Sequence, residues 1–392
     1  MRNKAILISG IINWGCYSTA MLAREFARNN RVIYAEPGMW YQQIRSKWGQ
    51  LSYLKSFYNL KRRRISDNLI VIQLSPMLPL LNKKIMQHSI RLSKLIQAYL
   101  LRREMKSLGF LPDIFISDNP LDVFMARRVR EKVTCAKITD EHSMLPHFKF
   151  VREVIERIES QSSGLFDFIF ASSRSQFEKR KNLNKNVFFV PNAVDFDLFN
   201  QSLSSKLPAH RDLQGIPVPR IGYVGTLCLR LDYDLLKKIG RSHPEWSLVM
   251  IGVVDNYVPK DQIEELKGFP NIFILPQKPH EEIPGFLSQF DIGIIPFKVD
   301  SITQTMNPLK MYEYMAVGLP IVSTDLPEAR PFSEVIRISK THEEFVNLIE
   351  NELRTNSQEK IQRRIEIAKE NSWEKRADQI SQIIAKKSIK KS

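Results

Sequence analysis

Short apolar runs recur along this chain, each closed by a turn and followed by a segment of helical character. Residues 5–9 (AILIS), 31–35 (RVIYA), 112–117 (PDIFIS), 135–138 (CAKI) and 166–171 (FDFIFA) carry the pattern in the first half. Residues 220–224 (RIGYV), 247–252 (SLVMIG), 271–275 (NIFIL), 291–296 (DIGIIP) and 320–323 (PIVS) repeat it in the second. Runs this short and this apolar are strands buried on both faces, and their alternation with helices implies parallel sheets. Such sheets gather their ligand loops along one edge, at the carboxyl ends of the strands. A chain of 392 residues exceeds one ordinary core, so the expected class is α/β with two Rossmann-like domains.

The stretch 307–325 (NPLKMYEYMAVGLPIVSTD) is the densest in signals. Asn307 reads as an N-cap, Pro308 as the first helical residue and Gly318 as the stop before a buried strand. The N-terminus of so short a helix offers unpaired N–H groups and partial positive charge, and an anion such as phosphate suits it. Glu313 sits between Tyr312 and Tyr314 in an otherwise apolar run. It is either solvated on the outer face or accepts hydrogen bonds from a ligand's hydroxyls. At 220–227 (RIGYVGTL) a strand ends in a loop where Gly222 and Gly225 would let a phosphate approach the backbone, with Thr226 and Arg230 beside it. Asp232 is placed to cap the following helix, and Arg230 reads equally as an exposed loop cation. The loop Gly10–Gly15, with Asn13 and Trp14, follows the first strand and lacks the dinucleotide pattern G-x-G-x-x-G. It is a plain strand-to-helix turn or a ligand loop.

The charge is uneven. Of a net +16, residues 1–110 hold nineteen Lys and Arg against four acidic residues, while residues 201–392 are nearly balanced. Residues 44–64 and 81–110 interleave cations with aromatic and aliphatic side chains, as basic amphipathic helices on an anionic membrane surface do. A core face with a solvated basic side gives the same composition. No zinc-finger, RNP or helix-turn-helix signature supports nucleic acid. With 43% hydrophobic and 26% charged residues the chain can fill its cores and is not disordered. No apolar run reaches the roughly 18 residues that span a bilayer. Cys16, Cys135 and Cys228 are distant in sequence and lack metal spacing, as in a reducing interior, so a cytoplasmic location is expected.

Three stretches together resemble the retaining glycosyltransferases of family 4 (glycosyltransferase group 1), which have the GT-B fold. Pro308, Lys310, Glu313, Tyr314, Met315 and Ala316 match a Pro-x-Lys-x-x-Glu-Tyr-Met-Ala subgroup; Val190-Pro-Asn-Ala-Val-Asp195 with Phe199 resembles the close of the first domain; residues 221–232 resemble the donor glycine loop. The resemblance implies two Rossmann-like domains facing across a cleft: residues 1–200, a linker over 201–218, residues 219–370, and a C-terminal helix over 371–392 crossing back to the first domain. It implies transfer of a sugar from a UDP- or GDP-sugar to a glycan or lipid-linked acceptor, with no cofactor or bound metal. The enzyme would be cytoplasmic and peripheral on the inner face of the cell membrane.

By the same resemblance Glu313 binds the donor ribose. Gly222, Gly225, Thr226, Arg230, Asn307, Pro308, Leu309 and Lys310 hold the diphosphate, and Lys278 and Pro279 flank the base. Asp140 and His142, ending the strand at 135–138, approach the donor sugar, although a lone loop histidine is ordinarily just solvated. Arg230 and Lys310 join them as catalytic candidates, and Gly10, Asn13, Trp14 and Gly15 form the acceptor-side loop. Family members usually carry a second Glu eight residues before Glu313, where this chain has Thr305. A nucleotide-sugar epimerase of the same fold and a catalytically silent nucleotide-sugar or membrane scaffold are the alternatives.

Overall fold

The computed structural model describes residues 1–10, 14–15, 18–38, 60–77, 86–139, 153–154, 157–158, 160, 163–204 and 210–388. The chain divides into two compact units, Met1–Pro191 with Arg376–Ser392, and Asn192–Lys375.

The first unit is built on an eight-stranded sheet of β1 (Ala5–Ser9), β2 (Arg31–Glu36), β3 (Lys61–Ser66), β4 (Leu69–Gln73), β5 (Ile114–Ser117), β6 (Val133–Ile138), β7 (Phe168–Ala171) and β8 (Val187–Phe189). Their order is β3-β4-β2-β1-β5-β6-β7-β8, and every pairing is parallel except β3 with β4. Helices α1 (Ser18–Ala27), α2 (Met86–Ser107) and α3 (Arg174–Lys181) accompany it. Ser173 caps α3 by accepting from the Gln176 N–H.

Two expectations fail here for identifiable reasons. Residues 61–64, expected in a basic amphipathic helix over 44–64, belong instead to β3, whose six residues are all exposed. The Asp67-Asn68 turn folds them back on the apolar β4, and a row of cations on the outer strand blunts an otherwise open sheet edge. Residues 44–59 lie outside the described residues. In the sequence, Asn119-Pro120 predicts the start of a helix running to about Lys132, but the chain makes a single 3-10 turn there, Pro120–Phe124. There Asp122, fully buried, accepts from Lys94 Nζ on α2 at 2.7 Å and from Ser117 Oγ on β5 at 2.7 Å. Those bonds pin the turn to the sheet, and left-handed residues at Arg127 and Arg130 prevent a helix beyond it.

The second unit carries six parallel strands, β9 (Arg220–Val224), β10 (Ser247–Ile251), β11 (Ile272–Leu275), β12 (Ile292–Ile295), β13 (Ile321–Thr324) and β14 (Ile336–Ser339), in the order β11-β10-β9-β12-β13-β14. Its helices are α4 (Phe196–Ser204), α5 (Tyr233–Ser242), α6 (Lys260–Lys267), α7 (Ile283–Leu287), α8 (Leu309–Ala316), α9 (His342–Thr355) and α10 (Gln358–Glu370). The last helix, α11 (Trp373–Ser388), begins here and from Arg376 onward clusters with the first unit. Every residue of β10, β12 and β13 is buried, as strands covered on both faces must be.

The stretch expected as an open linker, 201–218, is folded into this unit through part of α4 and a 3-10 turn at Arg211–Leu213. Phe199 and Leu213 are fully buried, and the Arg220 guanidinium donates to the carbonyls of Leu213 (3.1 Å) and Ile216 (2.8 Å). The units part between Pro191 and Asn192, ahead of residue 200. Among the described residues no helix is long and apolar enough to cross a membrane.

Candidate functional site

In the second unit the loops after β9, β10 and β12 and the start of α8 meet at the carboxyl edge of the sheet. After β9 the chain turns at Gly225 (φ +140°), whose N–H donates to Ile251 O at 2.9 Å; Leu227 N–H then donates to Val253 O at 2.8 Å. Gly252 (φ +159°) lies so close that a Cβ there would stand 2.1 Å from the Gly225 carbonyl oxygen. Two glycines are needed for this approach, one to turn and one to leave room. Gly222, expected to admit a phosphate, does something else. It lies inside β9, and the place of its missing Cβ is filled by the Phe290 ring, 1.9 Å from where that atom would be.

Helix α8 begins one residue later than expected. Pro308 (φ −66°, ψ 119°) is its cap residue and offers no side-chain hydrogen bond to the first N–H groups. Asn307 is not the cap because it is buried and committed elsewhere: its carbonyl accepts from Asn192 Nδ2 at 2.8 Å and its Nδ2 faces Glu328 Oε2 at 3.5 Å. The amide oxygens of Asn307 and Asn192 are both buried without a partner among the described residues. Leu309 is half-buried in the first turn. Thr305 donates its hydroxyl to Ile302 O at 2.8 Å.

Lys310 and Glu313, three residues apart, share one face of α8. The Lys310 ammonium lies 5.0 Å from the Tyr223 ring centre and 4.8 Å from that of Phe297, and 3.4 Å from where a Gly225 Cβ would be. It makes no ion pair or hydrogen bond among the described residues. Burial, and then the positive charge of Arg230, push its pKa down to about 8 against a weaker pull from Glu313. Glu313 likewise has no partner among the described residues; burial raises its pKa, opposed by His280 and Lys310. Both side chains are half-buried. Arg230 places Nε 3.3 Å from Cys228 Sγ and Nη1 3.5 Å from Met306 Sδ, and its carbonyl accepts from Lys298 N–H at 2.8 Å. Two cations thus converge beside an uncapped helix N-terminus, an arrangement that an anion placed among them relieves.

The remaining expected residues divide. Thr226 is exposed in the same loop as Gly225, and its carbonyl accepts from Tyr223 Oη at 3.0 Å. Lys278 forms an ion pair with Asp212, and its ammonium lies 5.8 Å from the Phe286 ring centre. Pro279 is exposed and precedes the 3-10 turn His280–Glu282. In the first unit, Gly10 N–H donates to Ala35 O at 3.1 Å. Trp14 N–H donates to Glu36 Oε2 at 3.0 Å, its ring meets Tyr34 edge-on at 5.0 Å, and Gly15 is half-buried beside it. Asn13, Asp140 and His142 lie outside the described residues. Sequence reasoning passed over Gly252, His280 and Tyr314, whose hydroxyl accepts from the Val224 N–H at 3.0 Å and ties α8 to the end of β9. His280 had a signal in its place directly after Lys278-Pro279, and Tyr314 in its place directly after Glu313 in the matched motif. Among the described residues no group of His, Cys, Asp and Glu could hold a metal ion.

Residues 219–387, which contain this site, match the family model of the glycosyl transferases group 1. Over 196 residues the chain is 29% identical to TuaH of Bacillus subtilis (strain 168), assigned as a teichuronic acid biosynthesis glycosyltransferase; the alignment covers 49% of this chain and 48% of TuaH. The chain therefore spans about half the length of that relative. Two solved structures are similar over nearly the whole chain. HepE of Anabaena in complex with UDP and glucose gives a TM-score of 0.67 at 11% identity, covering 98% of this chain and 100% of that one. The E. coli trehalose-6-phosphate structure bound with UDP-2-fluoro glucose gives 0.67 at 12%, covering 97% and 99%. The chain has the GT-B fold. Its two parallel-sheet units are those expected of GT-B proteins, and the group 1 match falls on the unit that holds Lys310 and Glu313.

Proposed function

We propose that the protein is a glycosyltransferase that takes a nucleotide-diphosphate sugar, a UDP- or GDP-sugar, at the carboxyl edge of the second unit. The observation that carries this reading is the pair Lys310 and Glu313, half-buried on one helical face and unpartnered among the described residues. An unpaired ammonium beside Arg230 and the free N–H groups of α8 suits a diphosphate, and an unpaired carboxylate one turn on suits the two hydroxyls of a ribose. The group 1 match over 219–387 and the nucleotide named in the HepE structure support the same assignment.

In the reaction, the bond from the anomeric carbon to the diphosphate oxygen breaks and a bond from that carbon to the acceptor oxygen forms. The acceptor proton passes to the departing diphosphate or to solvent. Charge grows on the diphosphate as it leaves, so donors already fixed around it stabilise the transition state more than the ground state. Arg230, Lys310 and the first N–H groups of α8 take that role, and the Gly225 and Gly252 turns let the backbone come close. Glu313 holds the nucleoside in register. Following the family resemblance, the transfer retains anomeric configuration and uses no bound metal. The acceptor is a glycan or lipid-linked glycan of surface polysaccharide synthesis, as the name of TuaH suggests, and the reaction takes place in the cytoplasm.

The test is donor turnover by wild type, Glu313→Ala and Lys310→Met over UDP-, GDP- and ADP-sugars. Losing a hydrogen bond to a charged group costs about 1.5–3 kcal/mol, so each variant is expected to lose roughly 10- to 150-fold in kcat/KM for the accepted donor. Equal turnover of every donor by wild type and Glu313→Ala removes the ribose role.

A further inference from the structure

We infer that Asn192 is a positioning residue for the transfer reaction: its side-chain amide holds the peptide group that opens α8, and so aims the first N–H groups of that helix and Lys310 at the donor diphosphate. This role rests on the donor reading above.

Tyr314 ties the later part of α8 to the end of β9, as described above. The start of the helix is tied by a residue far away in sequence, since Asn192 Nδ2 donates to the Asn307 carbonyl at 2.8 Å. That carbonyl belongs to the peptide bond entering Pro308. The proline ring holds φ at −66° and carries no N–H, so the direction in which α8 sets out depends on how the Asn307–Pro308 peptide plane is turned. Within the first turn the bond from Met311 N–H to the Pro308 carbonyl is long, 3.4 Å, and steadies it only weakly.

Asn192 is itself firmly held. It is 6% exposed and begins the second unit. Two residues on, Val194 N–H donates to Asn371 O at 3.1 Å and Val194 O accepts from Trp373 N–H at 3.0 Å, while Ala193, Val194 and Phe199 are buried. A carbonyl accepts only from the nitrogen end of an amide, which fixes how the Asn192 side chain is turned. Its Oδ1 is then left buried with no partner among the described residues, and Asn307, turned by Glu328 Oε2 at 3.5 Å, leaves its own Oδ1 in the same state. Two bare acceptors are a cost that an apolar side chain of similar size avoids, so packing does not account for Asn192. Such costs are kept at functional sites, and the gain here is a grip on the carbonyl that leads into the helix bearing Lys310 and Glu313.

The stretch Val190-Pro-Asn-Ala-Val-Asp195, which in the sequence resembles the close of the first domain, thereby reaches the donor site through one side chain. The effect belongs to the transition state. Charge growing on the diphosphate is met by the first N–H groups of α8 only if they are aimed before it grows. With the Asn307 carbonyl released, the Lys310 ammonium on its flexible stem can still follow the ground-state diphosphate, whereas the backbone donors cannot. Loss of the tie should therefore lower kcat more than it lowers affinity for the nucleoside diphosphate.

The experiment compares the full chain as wild type, Asn192→Ala and Asn192→Asp in turnover of the accepted donor from about pH 5.5 to 8.5, well below their unfolding midpoints. Binding of UDP or GDP and amide exchange of residues 311–316 are followed alongside. Asn192→Ala is expected to lose roughly 10- to 100-fold in kcat at every pH, with nucleotide affinity changed by less than about threefold. In Asn192→Asp a carboxylate faces the Asn307 carbonyl with no proton to give, and turnover falls at least as far at the alkaline end. Protonation restores an O–H donor, so the ratio of this variant to wild type should climb about tenfold toward the acid end, while the ratio for Asn192→Ala stays flat. A purely structural role lowers the melting temperature and gives neither the kcat-only loss nor the acid recovery. Unchanged kcat in Asn192→Ala overturns the inference, and so does a folded Asn192→Asp that shows no acid recovery. If Asn192→Asp does not fold, Asn192→Ala decides through kcat and through faster exchange at the start of α8. Wild type that turns over no donor overturns the donor reading instead; exchange then still decides the tie, upheld if Asn192→Ala speeds it and overturned if it does not.

Discussion

Lys310 carries the clearest consequence at the level of single residues. Its pKa in the folded chain, about 8, lies below the ordinary 10.5, so between those values the unfolded chain binds more protons than the folded one. Stability then rises with pH through that window, and the cost of burying the ammonium is fully present below pH 8. Thermal unfolding of wild type and Lys310→Met should converge or cross toward pH 10, with the variant relatively more stable near pH 7; parallel profiles would mean that Lys310 is not desolvated. A bound diphosphate favours the charged form, so UDP affinity should fall as pH climbs past 8 in wild type and stay flat in the variant. Gly222 gives a second test. An added methyl collides with Phe290, so Gly222→Ala should cost about 1–3 kcal/mol and lower the melting temperature without altering the pH dependence of binding. Lys310 and Glu313 were legible in the sequence because they share a short motif. The packing of Phe290 against Gly222 was not legible because the two are distant in the chain, and the same holds for the ion pair of Lys278 with Asp212.

Among elements, local chemistry decided which expectations held. Asp232 caps α5 as read, and Ser173 caps α3 in the same way, since a side-chain oxygen three residues before a helical N–H needs nothing from the rest of the fold. Asn307 fails as a cap for the opposite reason: its amide is buried with Nδ2 turned toward Glu328, a residue distant in the chain, and its Oδ1 reaches no N–H of α8. The α8 unit is closed by a contact that no local pattern announces. Arg364 on α10 is 1% exposed, and its Nε donates to the Gly318 carbonyl at 2.9 Å, just beyond the end of α8. Burial lowers its pKa to about 10, chiefly by desolvation. Replacing it with Ala leaves that carbonyl unsatisfied and opens a cavity. Arg364→Ala should cost the second unit about 2–5 kcal/mol, read as a shifted midpoint in urea. Since Gly318 follows the helix that bears Lys310 and Glu313, donor affinity should fall with it.

For the whole molecule, the alternation of apolar runs and turns made both sheets legible, because each strand announces itself within about six residues. Where the chain passes from one unit to the other was not legible, since α4 and the turn after it have the composition of a linker and the burial of a core. The final helix shows the same coupling of distant segments. Ile380 and Ile384 on α11 are buried, and Arg376 Nε and Gln379 Nε2 donate to Pro191 O and Phe189 O, both at 3.1 Å. Removing residues 376–392 exposes that apolar surface, at about 1.5–3 kcal/mol for each isoleucine. The truncated chain should lose stability in the first unit while the second keeps its own; with two resolved denaturation transitions, only one should move.

That division of the chain bears on the order of synthesis. A ribosome releases residues 192–375 as an uninterrupted block, able to complete its sheet as soon as it clears the exit tunnel. The eight-stranded half, although made first, lacks its closing helix until the last segment appears. The earlier-born half is therefore the later to mature, and a released chain ending at residue 375 should combine a protease-sensitive β8 with an already resistant second unit.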